Sequence, residues 1–162
     1  MAGRRKYYTL SHYLELLDTA GLLAGIEKYA PAMIRQRSSS PKFQVHNTAL
    51  ISAQRDWLFK DVLTKHDEWG QMVESAIGAH LVNHSLTEKF KLHYWREGND
   101  EIDFVIERKG KVIGLAVKSG AIRDTSGMAA FQKRFNPDKV LLIGNAGIPW
   151  QEFLEMNPVT LF

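Results

Sequence analysis

Hydrophobic positions recur at helical or strand spacing along most of the 162 residues. In residues 9–24 leucine, tyrosine and alanine return every three or four positions, which predicts a helix that two glycines weaken and then end. A broader apolar face predicts a second helix over 68–85, and alternation of charged with apolar residues predicts a strand over 101–108. The remaining pattern predicts strands over 25–29, 42–47, 92–96, 111–118 and 139–144, and helices over 125–135 and 149–156.

From residue 67 the predicted order is helix, three strands, helix, strand and helix. One mixed sheet flanked by helices is the simplest packing for this order, so the predicted fold class is α/β. The part before it reads as a small helix followed by a β-hairpin. We therefore predict two parts, a helix-plus-hairpin segment over 1–66 and an α/β domain over 67–162.

Composition narrows the class of protein. The chain has no cysteine, which excludes a disulfide scaffold, a zinc-thiolate site and a cysteine nucleophile. No apolar run reaches the roughly 18 residues that a membrane span needs, and no signal-peptide core follows the basic start. These features predict a soluble cytoplasmic protein that does not contact a membrane. The oligomeric state stays open.

Charge is divided unevenly along the chain. Residues 1–66 hold ten Lys and Arg against five Asp and Glu, whereas residues 67–162 hold eleven against thirteen. Basic segments often meet phosphate, and the helix followed by a basic hairpin is similar to the back half of a winged helix, in which the helix enters the major groove. DNA is therefore a predicted partner, and a solvated basic hairpin is the plain alternative. The residues predicted to contact nucleic acid are Arg4, Arg5, Lys6, Arg35, Arg37 and Lys42.

Three residues of the back half carry candidate chemistry. Glu74 lies on the predicted helix, and Asp103 and Lys118 lie on polar faces of neighbouring strands, so they can reach one cleft. Metal-dependent phosphodiester hydrolysis needs carboxylate oxygens for the cation and a lysine for the phosphate or the attacking water. A further carboxylate belongs two positions before the lysine, on the same face, and this chain has Ala116 there. The catalytic set is incomplete, and Glu74 and Asp103 alone should bind Mg²⁺ or Mn²⁺ weakly.

Other acidic residues of the same strand are possible substitutes. Strict alternation places Glu101, Asp103 and Glu107 on one face and the apolar Ile102, Phe104 and Ile106 on the other. At the usual rise of a strand Glu101 is about 7 Å and Glu107 about 13 Å from Asp103. Glu101 is the better candidate, although a distant one.

The sequence contains the runs WGQMVES, HYWREGNDEIDFVIERKGKVIGLAVKSG, GMAAFQKRF and KVLLIG. Together they resemble the restriction-endonuclease-like (PD-(D/E)XK) domain, of unknown function, at the C-terminus of many bacterial and archaeal AAA-type ATPases. The front also matches, because TLSHYLELLDTAGLL followed by PKFQVHNTALISA resembles the segment that joins the ATPase module to the nuclease-like fold. The resemblance covers about residues 9–155.

The resemblance implies an αβββαβ core in which Glu74, Asp103 and Lys118 match the active-site positions. The family usually has glutamate where this chain has Ala116, and Gln132 matches a polar position that often faces the site. No GxxxxGK[ST] run is present, so the chain is not itself the ATPase. A standalone relative, a truncated one and a fragment of a longer ATPase all stay open.

The leading hypothesis is an accessory nuclease-like domain of an AAA-type ATPase system with a degenerate metal site. It would bind nucleic acid or a protein partner, such as the ATPase module, without catalysis. One alternative is an active Mg²⁺- or Mn²⁺-dependent DNA nuclease that uses Glu74, Asp103 and Lys118. A second alternative is a structural assembly domain that does not contact nucleic acid.

Overall fold

The computed structural model describes residues 12–30, 40–56, 58–120 and 125–162. Residues 12–19 are helical and are called α1. The elements that follow are β1 (Leu23–Lys28), β2 (Lys42–Val45), α2 (Ala49–Ser52), α3 (Phe59–Thr64), α4 (His66–Glu88), β3 (Lys91–Glu97), β4 (Asp100–Arg108), β5 (Lys111–Lys118), α5 (Ser126–Phe135), β6 (Lys139–Gly144), α6 (Trp150–Glu155) and a final 3₁₀ turn (Pro158–Leu161).

The strands form one six-stranded sheet in the order β2-β1-β3-β4-β5-β6. β1 is antiparallel to β2 and parallel to β3, β4 is antiparallel to both of its neighbours, and β5 is parallel to β6. The predicted α/β class with a mixed sheet is therefore confirmed. Both predicted parts, 1–66 and 67–162, contribute strands to this sheet, and their division into two domains stays a prediction.

The first helix ends earlier in the structure than the hydrophobic pattern of the sequence predicted. α1 ends at residue 19, whereas the pattern predicted a helix to 24, and the predicted residues 9–11 lie outside the described ranges. Gly21 has φ +67°, and the N–H of Leu22 donates to the Leu17 carbonyl at 3.0 Å, as at a helix end closed by a left-handed glycine. The chain leaves the helix at this turn and enters β1 two residues later.

Two layers of apolar side chains fill the space on either side of the sheet. α4 covers one side with Val73, Ile77 and Leu81, which pack with residues of the strands and of α6. α5 covers the other side with Phe131, and its apolar cluster also contains Trp95, Ile102, Val105 and Ala116. A fully buried side chain of this size contributes about 1.5–3 kcal/mol, so these clusters hold the helices on the sheet.

The hairpin between β4 and β5 closes through a tight two-residue turn at Lys109 and Gly110. Lys109 and Gly110 both have positive φ, at 50° and 82°, which is the backbone of a type I′ turn. This tight turn sets the register of the two strands that carry the candidate site. None of the helices in the described ranges is both long enough and apolar enough to cross a membrane.

Candidate functional site

Asp103 lies where β4 and β5 separate. The ladder between the two strands runs from the hairpin turn to the pair Phe104 and Leu115. Beyond that pair, the Asp103 Oδ2 atom accepts a hydrogen bond from the backbone N–H of Val117 at 2.7 Å. Asp103 is only 4% exposed. The Asp103 carboxyl group therefore satisfies a β5 amide that has lost its strand partner.

A β-bulge lies in β4 at the same point, in its pairing with β3. His93 pairs with Val105 and Trp95 pairs with Ile102, so a two-residue step on β3 faces a three-residue step on β4. The additional residue interrupts the alternation of side chains between the two faces of the sheet.

The predicted alternation of β4 is consequently wrong across the bulge. Phe104 and Ile106 pack in the cluster of α4, but Ile102 packs in the cluster of α5. Glu107 is on the α5 side as well, because it pairs with Lys91 on β3 and lies 4.0 Å from His93. Glu107 therefore does not share a face of the sheet with the candidate site. The side chains of β4 alternate between the two faces within each part of the strand, but the alternation is not continuous across the bulge.

An ion pair joins the front hairpin to α4 beside Asp103. The Nζ atom of Lys42 donates to Glu74 Oε1 at 2.5 Å and to the carbonyl oxygen of Asp103 at 3.4 Å. The ammonium also lies 4.7 Å from the centre of the Phe104 ring. Both side chains of the ion pair are largely buried, at 27% and 33% exposed, so the contact is better shielded from water than a surface ion pair.

Gln44 fixes the position of this lysine. It is the second residue after Lys42 on β2, so both side chains face α4, and it is 4% exposed. Its Nε2 atom donates to the carbonyl oxygens of Ser75 at 2.9 Å and Val45 at 3.0 Å. A Cβ atom added at Gly78 would lie 2.1 Å from Gln44 Oε1, so this glycine lets β2 approach the helix closely.

Burial and charge shift the proton affinities of two carboxyl groups. Burial, followed by the nearby charge of Glu74, raises the pKa of Asp103 to about 7, although the Val117 amide and two lysines oppose the shift. Burial also acts to raise the pKa of Glu101, but its hydrogen bonds with Arg96 and Asp103 outweigh burial and lower that pKa. Below about pH 7 these shifts favour a protonated Asp103 that donates to an ionised Glu101.

Two clefts meet at these residues. One has a volume of about 460 Å³ and is lined by Lys42, Glu74, Tyr94, Arg96 and Glu101, among others. The second has a volume of about 800 Å³ and is lined by Glu74 and Lys118, with Gln71, Ser119 and Asn145 around them. Glu74 borders both clefts. Glu74 and Lys118 thus line one cleft, and the charges of both act on the buried Asp103, which itself lines neither cleft.

Ala116 borders a third and smaller cavity on the α5 side. Its volume is about 120 Å³, and Glu101, Lys118 and the start of α5 line it. Ala116 and Lys118 thus share a face, as the spacing predicted, but Ala116 is 2% exposed and belongs to the apolar cluster around Phe131. This position supplies no oxygen ligand.

Neither Gln132 nor Lys42 has the position that the sequence predicted for it. Gln132 is exposed on α5, the helix on the side of the sheet opposite α4, so the structure does not bring it to Glu74. Lys42 was predicted to meet phosphate, but its ammonium is engaged by Glu74 instead. The other predicted contacts lie outside the described residues; they are Arg4, Arg5, Lys6, Arg35 and Arg37.

The divalent cation that the resemblance implies does not fit this donor set. Within the described ranges, no three acidic or histidine side chains converge as ligands for a metal ion. One oxygen of Glu74 already holds an ammonium, Asp103 Oδ2 accepts an amide, and Ala116 has no ligand to offer. Mg²⁺ and Mn²⁺ prefer an octahedron of oxygen ligands, which these residues do not build.

Sequence reasoning missed the contacts made by Gln44, Arg96 and Lys42. Arg96 pairs with Glu101 across β3 and β4, and it draws that carboxylate away from a role as a free ligand. A buried glutamine and a lysine two residues apart on a short strand carry no recognisable signal, because their partners are more than 30 positions away. The only available sign was the alternation of Lys42 and Gln44 with the more apolar Phe43.

Comparison with known proteins identifies a family but no function. No curated protein and no solved structure matches the chain. A family model described as a domain of unknown function (DUF4143) matches residues 69–162. The matched part contains Glu74, Asp103 and Lys118, whereas Lys42 and Gln44 precede it. Because the match spans more than half of the chain, the protein belongs to the DUF4143 family.

Proposed function

We propose that this protein is an accessory nuclease-like domain of an AAA-type ATPase system that binds nucleic acid without hydrolysing it. The observation that carries the proposal is that Glu74 and Asp103 are each bound by another group of the same chain, the Lys42 ammonium and the Val117 amide. We also propose a cytoplasmic location, which the absence of cysteine favours.

The absence of hydrolysis follows from the donor set. A divalent cation that activates water for attack on phosphorus needs several oxygen ligands and an open coordination position. Glu74 is paired, Asp103 is buried with a pKa of about 7, and position 116 is an alanine. Lys118 remains at the cleft that Glu74 also lines, where an ammonium favours phosphate with or without a metal.

The nucleic-acid partner is supported by the distribution of charge. The twofold excess of basic over acidic residues in 1–66 includes Arg4, Arg5, Lys6, Arg35 and Arg37. Such residues bind phosphates by releasing counterions, which makes the affinity depend steeply on salt. The link to an ATPase rests on the resemblance of the motifs and of the front segment to AAA-associated domains.

Fluorescence anisotropy with a labelled DNA duplex at increasing salt tests this proposal. We expect saturable binding that weakens with salt, and a double substitution Arg35→Ala and Arg37→Ala that lowers the salt slope by about two. The matched control removes the same charge from exposed helix positions, Lys60→Ala and Lys133→Ala, and should change the slope less.

Two outcomes would favour the alternatives. Absence of DNA binding at low salt would favour a structural assembly domain. Cleavage of DNA in the presence of Mn²⁺ that disappears in Asp103→Ala would favour an active nuclease.

A further inference from the structure

We propose that the ammonium of Lys42 is the resident cation of this site, and that it closes the site to divalent metal ions. The proposal goes beyond the function proposed above, because it concerns cation occupancy and not nucleic acid. It starts from the disagreement between the divalent ion that the resemblance implies and the groups that the chain provides.

The Lys42 ammonium occupies the point where a cation would find its oxygens. Glu74 Oε1 lies 2.5 Å from Nζ, and the carbonyl oxygen of Asp103 lies 3.4 Å from it. Both are hard oxygen atoms, one charged and one neutral, of the kind that bind Mg²⁺ and Mn²⁺. The positive charge of Lys42 also reaches the carboxyl groups of Asp103 and Glu101, whose ionised forms it favours.

The fold holds the ammonium in this position. β2 pairs with β1 in an antiparallel ladder, and Gln44 anchors the same strand to the Ser75 carbonyl of α4. Gly78, which has no Cβ atom, lets Gln44 and β2 pack closely against the helix. An exposed ion pair can open when each side chain rotates, but Lys42 is held by its strand and by the ring of Phe104.

A metal ion and the ammonium cannot share these oxygens. A divalent ion needs oxygen contacts at about 2.0–2.2 Å and would lie within a few ångströms of Nζ, where like charges repel strongly. Binding would require Lys42 to leave Glu74 and lose its cation–π contact. The lysine therefore acts as an autoinhibitory contact that a change of one residue should release.

The test is titration of Mn²⁺ alone, by calorimetry and by electron paramagnetic resonance of the free ion. Lys42→Met keeps the aliphatic side chain over Phe104 but removes the charge, so we expect Mn²⁺ to bind at least about tenfold more tightly than to the unchanged protein. Adding Glu74→Gln to Lys42→Met should abolish the gain. Lys65→Met, which removes the contact of an exposed lysine with the partly buried Glu68, is the matched control and should leave Mn²⁺ affinity unchanged.

Circular dichroism and thermal unfolding establish that each variant is folded, and Lys42→Gln provides a second neutral substitution if Lys42→Met is not. Equal Mn²⁺ affinity in the unchanged protein and in the folded neutral variant would overturn the proposal. A gain that persists in the double variant would also overturn it, because the ion would then bind elsewhere. Since no nucleic acid is present, the result is separate from the DNA-binding experiment.

Discussion

The two sides of the sheet differ sharply at the end of β4 and β5. On the α4 side, Lys42 and Glu74 meet the backbone of Asp103, and polar clefts open beside them. On the α5 side, Ala116 lies in an apolar cluster with Trp95 and Phe131. At this end of the sheet, one side thus carries charged groups that are paired with each other. The other side carries a conventional hydrophobic core.

This difference explains what the site is able to do. Beside the β-bulge of β4, the β4–β5 ladder has ended, and Asp103 accepts the hydrogen bond of the Val117 amide there. Two of the acidic groups, Glu74 and Glu101, are paired with Lys42 of β2 and Arg96 of β3. In this chain the acidic residues of the candidate site form a network of internal contacts.

The largest expected effect is on the apolar side. Phe131 is fully buried and contacts the rings of Tyr29, Trp95 and Phe135, so Phe131→Ala should lower the free energy of unfolding by about 4 kcal/mol. The neighbouring Gln132→Ala is the matched control and should be neutral within about 0.5 kcal/mol, because Gln132 is exposed. Urea denaturation measures both. A large cost of Gln132→Ala would place this residue in a packed environment and contradict its exposed position.

The pH dependence of stability tests the charged side. Asp103 titrates near pH 7 in the folded protein and near its ordinary value when unfolded, so between pH 4 and pH 7 the folded state binds the additional proton. The contribution of Asp103 to the free energy of unfolding is therefore largest below pH 4, and it is lost as the pH rises toward 7.

Asp103→Asn should remove this dependence. Asparagine can accept the Val117 N–H and donate to Glu101, as the protonated acid does. The free energy of unfolding of Asp103→Asn relative to that of the unchanged protein should rise by roughly 3 kcal/mol between pH 4 and pH 7.5, measured by urea denaturation at each pH. Asp138→Asn is the control, because that exposed carboxylate also accepts a β5 amide, from Val112. A relative stability of Asp103→Asn that stays constant or falls would contradict the assignment.

The close approach of β2 to α4 predicts opposite effects of one substitution at two glycines. Gly78→Ala would place a Cβ atom 2.1 Å from Gln44 Oε1 and should cost about 2 kcal/mol. Gly70→Ala, in the same helix, places its Cβ atom 3.4 Å from Ser119 Oγ and should stabilise the helix by up to about 1 kcal/mol. Thermal unfolding distinguishes the two substitutions, because Gly78→Ala should lower the melting temperature and Gly70→Ala should raise it. Equal effects would mean that β2 does not pack against α4 as described.

The smallest expected difference is between two ion pairs. Lys42→Met breaks a pair that is largely buried and should cost about 1 kcal/mol. Arg134→Met breaks the exposed pair with Glu97 beside α5 and should cost less than about 0.5 kcal/mol. Denaturation at low and high salt measures both, and the cost of Arg134→Met should vanish with salt. A larger cost for Arg134→Met would reverse the contrast between the two sides.

Local sequence patterns were enough to predict the elements from α4 to α6, because each carries its own period and its own turn residues. The placement of Glu74 and Lys118 at one cleft also followed from those elements, whereas a shared catalytic role of these residues with Asp103 stays a prediction. The bulge in β4 did not, since a single additional residue leaves no mark on a pattern of alternating charged and apolar positions. The parallel pairing of β1 with β3 and the contact of Lys42 with Glu74 depend on residues far apart in the chain, which local periodicity does not relate.

We propose that this protein binds nucleic acid while the acidic groups of its candidate site stay neutralised by other groups of the same chain. A supercoiled plasmid incubated with the protein and Mn²⁺ tests it in one gel, with a parallel lane run after protein removal. The account predicts retarded plasmid that is released by salt and is still supercoiled after the protein is removed. Nicked or linear plasmid that disappears in Asp103→Ala would contradict it.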